Sequence, residues 1–390
     1  MSANAHRKAI VNGKIIIEDR IVEGKIVLFD TKVVAIVDSL SEEAELIDAR
    51  GAYVGAGFID IHIHGSGGAD VMDATPEALQ TLSQTLLQTG VTSFLATTMT
   101  MSREAIDNAL QNLKRHAKKV SGAQILGVHL EGPFINAAKH GAQDKAYIQE
   151  PDLERIEDYA DEIRMITLAP EINGAKAFVK QIRERYPHII LSIGHSDADY
   201  ETSKESFRWG VSHATHLFNA MNGYHHREPG IVGAVFDSSV TCDIIPDLIH
   251  THPSTLELTY RMKGDKLMVI SDAMRAGCMQ CGIYELGGRK VIVKEGKAEL
   301  EDGTLAGSVL KLNEGLKHMK MHTSMSLVEV VNSVTKTPAK KLNLSKGELK
   351  PGYDADIVVF DEDFSIITTI VGGEIKYRSS GLVEHVSDGR

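Results

Sequence analysis

Apolar runs of strand length alternate with helical segments eight times between residues 58 and 271. The runs are FIDIHI (58–63), VTSFLAT (91–97), QILGVHL (124–130), RMITLA (164–169), IILSIG (189–194), VSHATH (211–216), VTCDII (240–245) and LMVIS (267–271). The segment after the first shows the helical partner: Thr75 can cap, Pro76 stands at the first helical position, Leu79, Leu82 and Leu86 form an apolar stripe, and Gly90 ends it. Strand, helix and strand repeated eight times predict an α/β fold, a (β/α)8 barrel. The seventh strand has a competitor in GIVGAVFD (230–237).

The chain ends read differently. From Ala9 to Val37, and again from Pro351 to Tyr377, short apolar stretches alternate with glycines and acidic turns, the pattern of short antiparallel strands. The expectation is one small β-sandwich domain built from residues 1–54 and 345–390, beside a barrel over 55–344. The 390 residues agree, since such barrels run to roughly 250 residues as one domain.

A formal net charge of −11 argues against a nucleic-acid or acidic-membrane surface, which needs a basic footprint. No apolar run approaches the length of a membrane span, and MSANAHRKAI lacks the apolar core of a secretory signal, so a cytoplasmic enzyme is expected. Three cysteines fit a reduced compartment without a disulfide framework. Cys278 and Cys281 form a CxxC without the second pair a zinc site needs, and read as a loop over the active site.

In such a barrel the active site forms at the carboxyl ends of the strands. The first strand ends with His62 and His64, the third runs into Glu131, the fifth into His195, the sixth into His216 and the eighth into Asp272. Four histidines and two carboxylates from five strands are the ligand types of one or two divalent transition metals. Ligands on separate rigid strands fix geometry and leave a position open for water, whose pKa a metal lowers to about 7. Asp60 faces the same side as His62 and His64 but sits earlier, as an acid beneath the ligands. Gly65, Gly67 and Gly68 are expected to make a turn that leaves the rim open.

The ordered set GFIDIHIHG, HLEGPF, IGHSDA, THLFNAMN, HHREPG and VISDAM resembles the amidohydrolase superfamily of metal-dependent hydrolases, and within it the branch that deacetylates phosphorylated amino sugars. Relatives with a carboxylated lysine carry it after the fourth strand; here that strand ends LAPE, with Glu171. The resemblance implies that Glu131, His195 and His216 hold one metal and that His62 and His64 help hold a second, with Glu131 and Asp272 available to both. Zinc or iron is expected, with manganese also compatible.

The resemblance further implies hydrolysis of N-acetylglucosamine 6-phosphate to glucosamine 6-phosphate and acetate, with Asp272 as general base and acid and His250 near the acetyl carbonyl. It places Asn219, Ala220 and Arg227 at the phosphate, and Ala142, Gln143, Leu305, Ala306 and Gly307 around the sugar. It also implies a homodimer in which phosphate-binding groups approach from the neighbouring subunit. The galactosamine epimer is the alternative substrate, and a non-catalytic barrel the alternative class, though every metal position is filled.

Overall fold

The computed structural model describes residues 7–41 and 43–380. The predicted β-domain's outermost residues, 1–6 and 381–390, lie outside the described residues. Eight parallel strands pair in chain order: β1 (Phe58–Ile63), β2 (Val91–Thr97), β3 (Gln124–Glu131), β4 (Ile163–Leu168), β5 (Ile190–Ile193), β6 (His213–Ala214), β7 (Thr241–Ile244) and β8 (Leu267–Val269). The seam between β1 and β8 closes at the carboxyl ends, where Asp272 N donates to His62 O at 2.9 Å, His64 N to Ala273 O at 2.9 Å and Ser271 Oγ to Asp60 Oδ2 at 2.6 Å. The sheet is thus a barrel, as expected.

The helix after β1 forms as its sequence predicts. Thr75 caps Ala78 N, Pro76 opens it, and Gly90 at φ 80° ends the 3₁₀ turn that follows. GIVGAVFD is not the seventh strand. Gly230–Phe236 is a helix buried nearly throughout, and a run apolar on all sides does not show its period. β6 is shorter than VSHATH suggests, because His216, Phe218 and Ala220 take left-handed backbone conformations that no strand accommodates.

Both chain ends build the terminal sheets. A six-stranded sheet runs Glu374–Arg378, Ile366–Val371, Ile357–Phe360, Tyr53–Ala56, Lys14–Ile17 and Arg20–Val22, and a four-stranded sheet runs Val33–Val37, Ile26–Phe29, Lys8–Val11 and Glu45–Asp48. Ile10, Ile15, Val27, Phe29, Val54, Ile357 and Val359 share a core between them. Two pairs are parallel, Lys8–Val11 with Glu45–Asp48 and Lys14–Ile17 with Tyr53–Ala56, rather than antiparallel as expected. Intervening strands supply the crossover that a parallel pair requires.

After β8 comes an unanticipated three-stranded antiparallel sheet, Gly282–Leu286, Arg289–Lys294 and Lys297–Leu300. Its turns are Gly287-Gly288 and Glu295-Gly296, all at positive φ, the conformation of tight hairpins. Val291, Val293, Ala298 and Leu300 pack inward with Met99 and Met274, which sets Leu286 beside the barrel mouth.

Candidate metal centre

Six side chains at the carboxyl ends of β1, β3, β5, β6 and β8 converge in two groups, His62, His64 and Asp272, and Glu131, His195 and His216, all buried. In the first, the two Nε2 atoms are 3.3 Å apart and stand 3.4 and 3.2 Å from Asp272 Oδ1. In the second they are 3.2 Å apart and stand 3.2 and 3.0 Å from Glu131 Oε1. Glu131 also reaches across, with Oε1 3.4 Å from His62 Nε2 and Oε2 3.3 Å from His64 Nε2. Ligands about 2.0–2.1 Å from a tetrahedral ion stand roughly 3.3 Å from one another. The donor set therefore fits divalent cations in number, type and spacing.

Local structure aims these rings. His195 Nδ1 lies 2.9 Å from Lys139 O and His64 Nδ1 3.3 Å from Thr97 O. When each Nδ1 carries the proton and donates to its carbonyl, the lone pair of Nε2 is directed at the centre. Asp243 on β7 accepts a short hydrogen bond from His216 N and holds His213 Nε2 at 2.8 Å through its other oxygen. His195, His216 and Asp272 adopt φ of 47°, 33° and 47°. Non-glycine residues adopt such angles at a cost of about 1–3 kcal/mol and keep them where the surroundings enforce them.

At His64, His216, Glu131 and Asp272 burial opposes the charge, but opposite charges within reach outweigh it. His64 rises well above the usual imidazole range against its burial, through hydrogen bonds to Asp272 and Glu131. His216 rises to about 9 through Glu131 in the same way. Glu131 is held well below the carboxylate range by His62 and His195, and Asp272 is lowered by His62 and His64. Asp60 is not in either group: desolvation raises it to about 6, and it accepts from Ser271 Oγ at 2.6 Å and His62 N at 3.2 Å. Glu171 also stays apart, tying loops together through Asn136 at 2.8 Å and Ser196 at 2.7 Å.

The glycine turn after His64 does not leave the rim open. Gly65 N bonds Ala273 O, Gly67 N bonds Gly277 O and Gly68 N bonds Arg275 O, at 3.0, 2.8 and 2.8 Å, zipping the turn to the segment after β8. A Cβ on Gly65 would stand 2.4 Å from Ala69 O and 2.7 Å from Arg275 N, so the absence of side chains permits close approach.

A cavity of about 270 Å³ opens above the two groups. Of the residues expected around substrate, Ala142, Gln143, Asn219, Ala220, His250, Leu305 and Gly307 line it. Ala306 does not: it is buried in the hairpin core, its N bonded to Ala298 O at 3.0 Å. Arg227 is absent as well, standing on the exposed 223–228 loop with Nη1 2.8 Å from His226 Nε2. Gln143 reaches further down than a sugar contact needs, donating to Glu131 Oε2 at 2.7 Å and accepting from Thr100 N at 2.6 Å.

Sequence reasoning missed Asp243 and His213, and also Asp247, whose Oδ2 is 2.6 Å from His250 Nδ1. Met99, Gly141, Leu286 and Thr304 also line the cavity. Asp243 lies inside an apolar run and Asp247 just beyond it, where a carboxylate is a visible anomaly; the others carry no chemical signal.

A barrel with histidines and carboxylates converging from its strand ends defines a class of metal-dependent hydrolase, and sequence comparison agrees. The profile described as the amidohydrolase family matches residues 53–376, and the chain belongs to that family. Within it, the chain is 42% identical over 336 residues to the N-acetylglucosamine-6-phosphate deacetylase of Bacillus subtilis (strain 168), covering 83% of this chain and 84% of that one. It is 39% identical over 360 residues to the enzyme of that name from Lysinibacillus sphaericus, covering 90% and 92%. The crystal structure of N-acetylglucosamine-6-phosphate deacetylase from Pasteurella multocida matches with a TM-score of 0.91 and 32% identity, over 96% of this chain and 100% of that one.

Proposed function

We propose that this chain hydrolyses N-acetyl-D-glucosamine 6-phosphate to D-glucosamine 6-phosphate and acetate. The observation that carries the reading is Glu131: one buried carboxylate within 3.0–3.4 Å of four imidazole nitrogens, at the floor of a cavity lined by His250 and Asp272. Relatives of this chain at 39–42% identity bear the name of that activity.

In this reading His62, His64 and Asp272 would hold one divalent metal and Glu131, His195 and His216 another, with Glu131 and Asp272 available to both. Zinc, iron or manganese suits the imidazole and carboxylate donors. A cation here supplies Lewis acidity toward the carbonyl oxygen and lowers the pKa of water. Asp272, kept ionised by His62 and His64, takes a proton from the attacking water at a carboxylate oxygen. The C–N bond then breaks, and Asp272 returns the proton to the departing nitrogen, which leaves as the amine while the acyl part leaves as acetate. His250, its ring held by Asp247, meets the acetyl carbonyl from the cavity wall.

Asn219 and Ala220 offer polar groups to the phosphate on the cavity side. Arg227's exposed position away from the cavity supports a homodimer in which Arg227 of each copy serves its neighbour's phosphate. Cytoplasmic location belongs to the same reading; among the described residues no helix is long and apolar enough to cross a membrane. So does a division into a barrel unit over 55–344 and a β-unit over 1–54 and 345–390.

Acetate release tests the assignment, measured on N-acetylglucosamine 6-phosphate, its galactosamine epimer and both unphosphorylated sugars, with metal content determined on the same sample. The glucosamine 6-phosphate derivative should be turned over fastest. Failure to release acetate from any of them by metal-loaded protein would sink the reading, and indifference to the phosphate would remove Arg227 from it.

A further inference from the structure

At the end of the barrel opposite the ligand groups, a second cavity of about 610 Å³ opens beside the starts of β6 and β7. Lys204, Arg208, Lys341, Ser212, Ser239 and Thr241 contribute to its wall, which holds three cations, four hydroxyl side chains and no carboxylate. That excess stands out in a chain of net charge −11. An adjoining cavity shares Ser239, Thr241 and Lys341, but Glu18, Asp19, Asp265 and Glu329 balance its lysines. In the first, Lys204 pairs with Asp237 Oδ2 at 3.2 Å, which leaves Lys341 and Arg208 as wall cations without a carboxylate partner among the described residues.

Lys341 lies where the two cavities meet. Its Nζ donates to Ser212 O at 2.7 Å and to Ser212 Oγ at 3.0 Å. The influences on its charge are burial and then Arg183, both lowering its pKa, to about 8, with no carboxylate to offset them. Even half-buried, an ammonium with only neutral partners is costly, and an anion beside it relieves that cost. Lys263 adds a further cation behind the wall, its Nζ on Val235 O and Ser238 O at 2.7 and 3.1 Å.

We propose that this cavity binds a small phosphate-bearing anion and that binding is felt at the metal centre through β6 and β7. Phosphate oxygens match a wall of cationic and hydroxyl donors. The connection is a continuous run of hydrogen bonds. Ser212 O, which Lys341 holds, also accepts from Thr241 N at 3.3 Å; Thr241 Oγ1 is 2.7 Å from His213 Nδ1; His213 Nε2 is 2.8 Å from Asp243 Oδ2; and Asp243 Oδ1 holds His216 N. Few displacements separate the cavity from the left-handed backbone of His216.

The test uses the metal-loaded full chain in phosphate-free buffer, titrated calorimetrically with inorganic phosphate in one arm and glucose 6-phosphate in the other. Wild type, Lys341→Met and Arg208→Ala are compared. A binding event should be present in wild type and weakened about tenfold or more in both variants, as expected for loss of a charge-assisted contact. The tighter arm tells whether the cavity takes the free anion or a phosphomonoester. At saturating substrate, added anion should change kcat in wild type and leave both variants unmoved; a change confined to KM reports competition at the metal cavity and refutes transmission. Identical isotherms for all three proteins would overturn the site. Arg208 is exposed, so its variant decides the matter if Lys341→Met does not fold. Calorimetry needs no turnover, so loss of this inference is distinguishable from loss of the deacetylase reading.

Discussion

The two ends of the barrel bury charge in opposite ways. At the rim, histidines and carboxylates lie 3.0–3.4 Å apart, and His64, His216, Glu131 and Asp272 have their charged forms held against desolvation. At the base, Lys341 is half-buried among hydroxyls and carbonyls and its charge is weakened. The rim's mixed signs make a donor set on which cations complete the balance, whereas at the base Lys341 and Arg208 have no carboxylate partner among the described residues, which invites an anion. Burial alone therefore says little about a charged residue; the sign and distance of its neighbours decide what it is for.

Glu131→Gln strikes the rim where the two groups meet and should have the largest effect. Metal content should fall for both groups together and acetate release should become undetectable; full metal content in the purified variant would separate Glu131 from ligation. Asp272→Asn should lose turnover by roughly 10²–10⁴, while the metal held by Glu131, His195 and His216 stays. A near-normal rate would remove Asp272 as the proton carrier, and loss of all metal would recast it as a ligand only.

The rim was largely legible in the sequence and the base was not. His62, His64, Glu131, His195, His216 and Asp272 are polar residues ending apolar runs, so their places followed once the runs were counted as barrel strands. Apart from β6, the strands themselves were read nearly to their ends, because buried parallel strands are apolar along their length. GIVGAVFD shows where that signal fails, since a fully buried helix looks the same over seven residues. The hairpin after β8 went unread although Gly287-Gly288 and Glu295-Gly296 mark its turns. Lys341 could not be read at all: lysines are ordinary in sequence, and only the fold brings this one to Ser212, across 129 positions.

Asp243 ties the two ends together, facing His216 with one oxygen and His213 with the other. Asp243→Asn keeps the shape but replaces one acceptor by a donor, which either His216 N or His213 Nε2 must then face. Metal affinity should fall by about 10–100-fold, the usual cost of losing a partner that orients a ligand. The KM for substrate should change little in metal-saturated protein, because Asp243 does not line the cavity. Competition against a chelating dye gives the affinity, and an unchanged value would show that His216 is held by its own strand.

The smallest effect expected is on stability at the base, and its sign with pH is specific. Lys341 has a folded-state pKa of about 8 against 10.5 for the free side chain, so between these values the unfolded chain binds more protons than the folded one. Stability contributed by this group therefore rises with pH across that window and is flat below it. In phosphate-free buffer, the unfolding free energy of wild type should gain about 2 kcal/mol on Lys341→Met between pH 7 and pH 9.5. The hydrogen bonds to Ser212 lost in the variant shift the two curves vertically without changing that slope, so urea titrations at several pH values isolate the charge. Parallel curves would mean that the ammonium is already compensated, and the base of the barrel would then resemble the rim. A divergence that disappears when glucose 6-phosphate is added would sharpen the contrast instead, since an anion beside Lys341 returns its pKa toward the unfolded value.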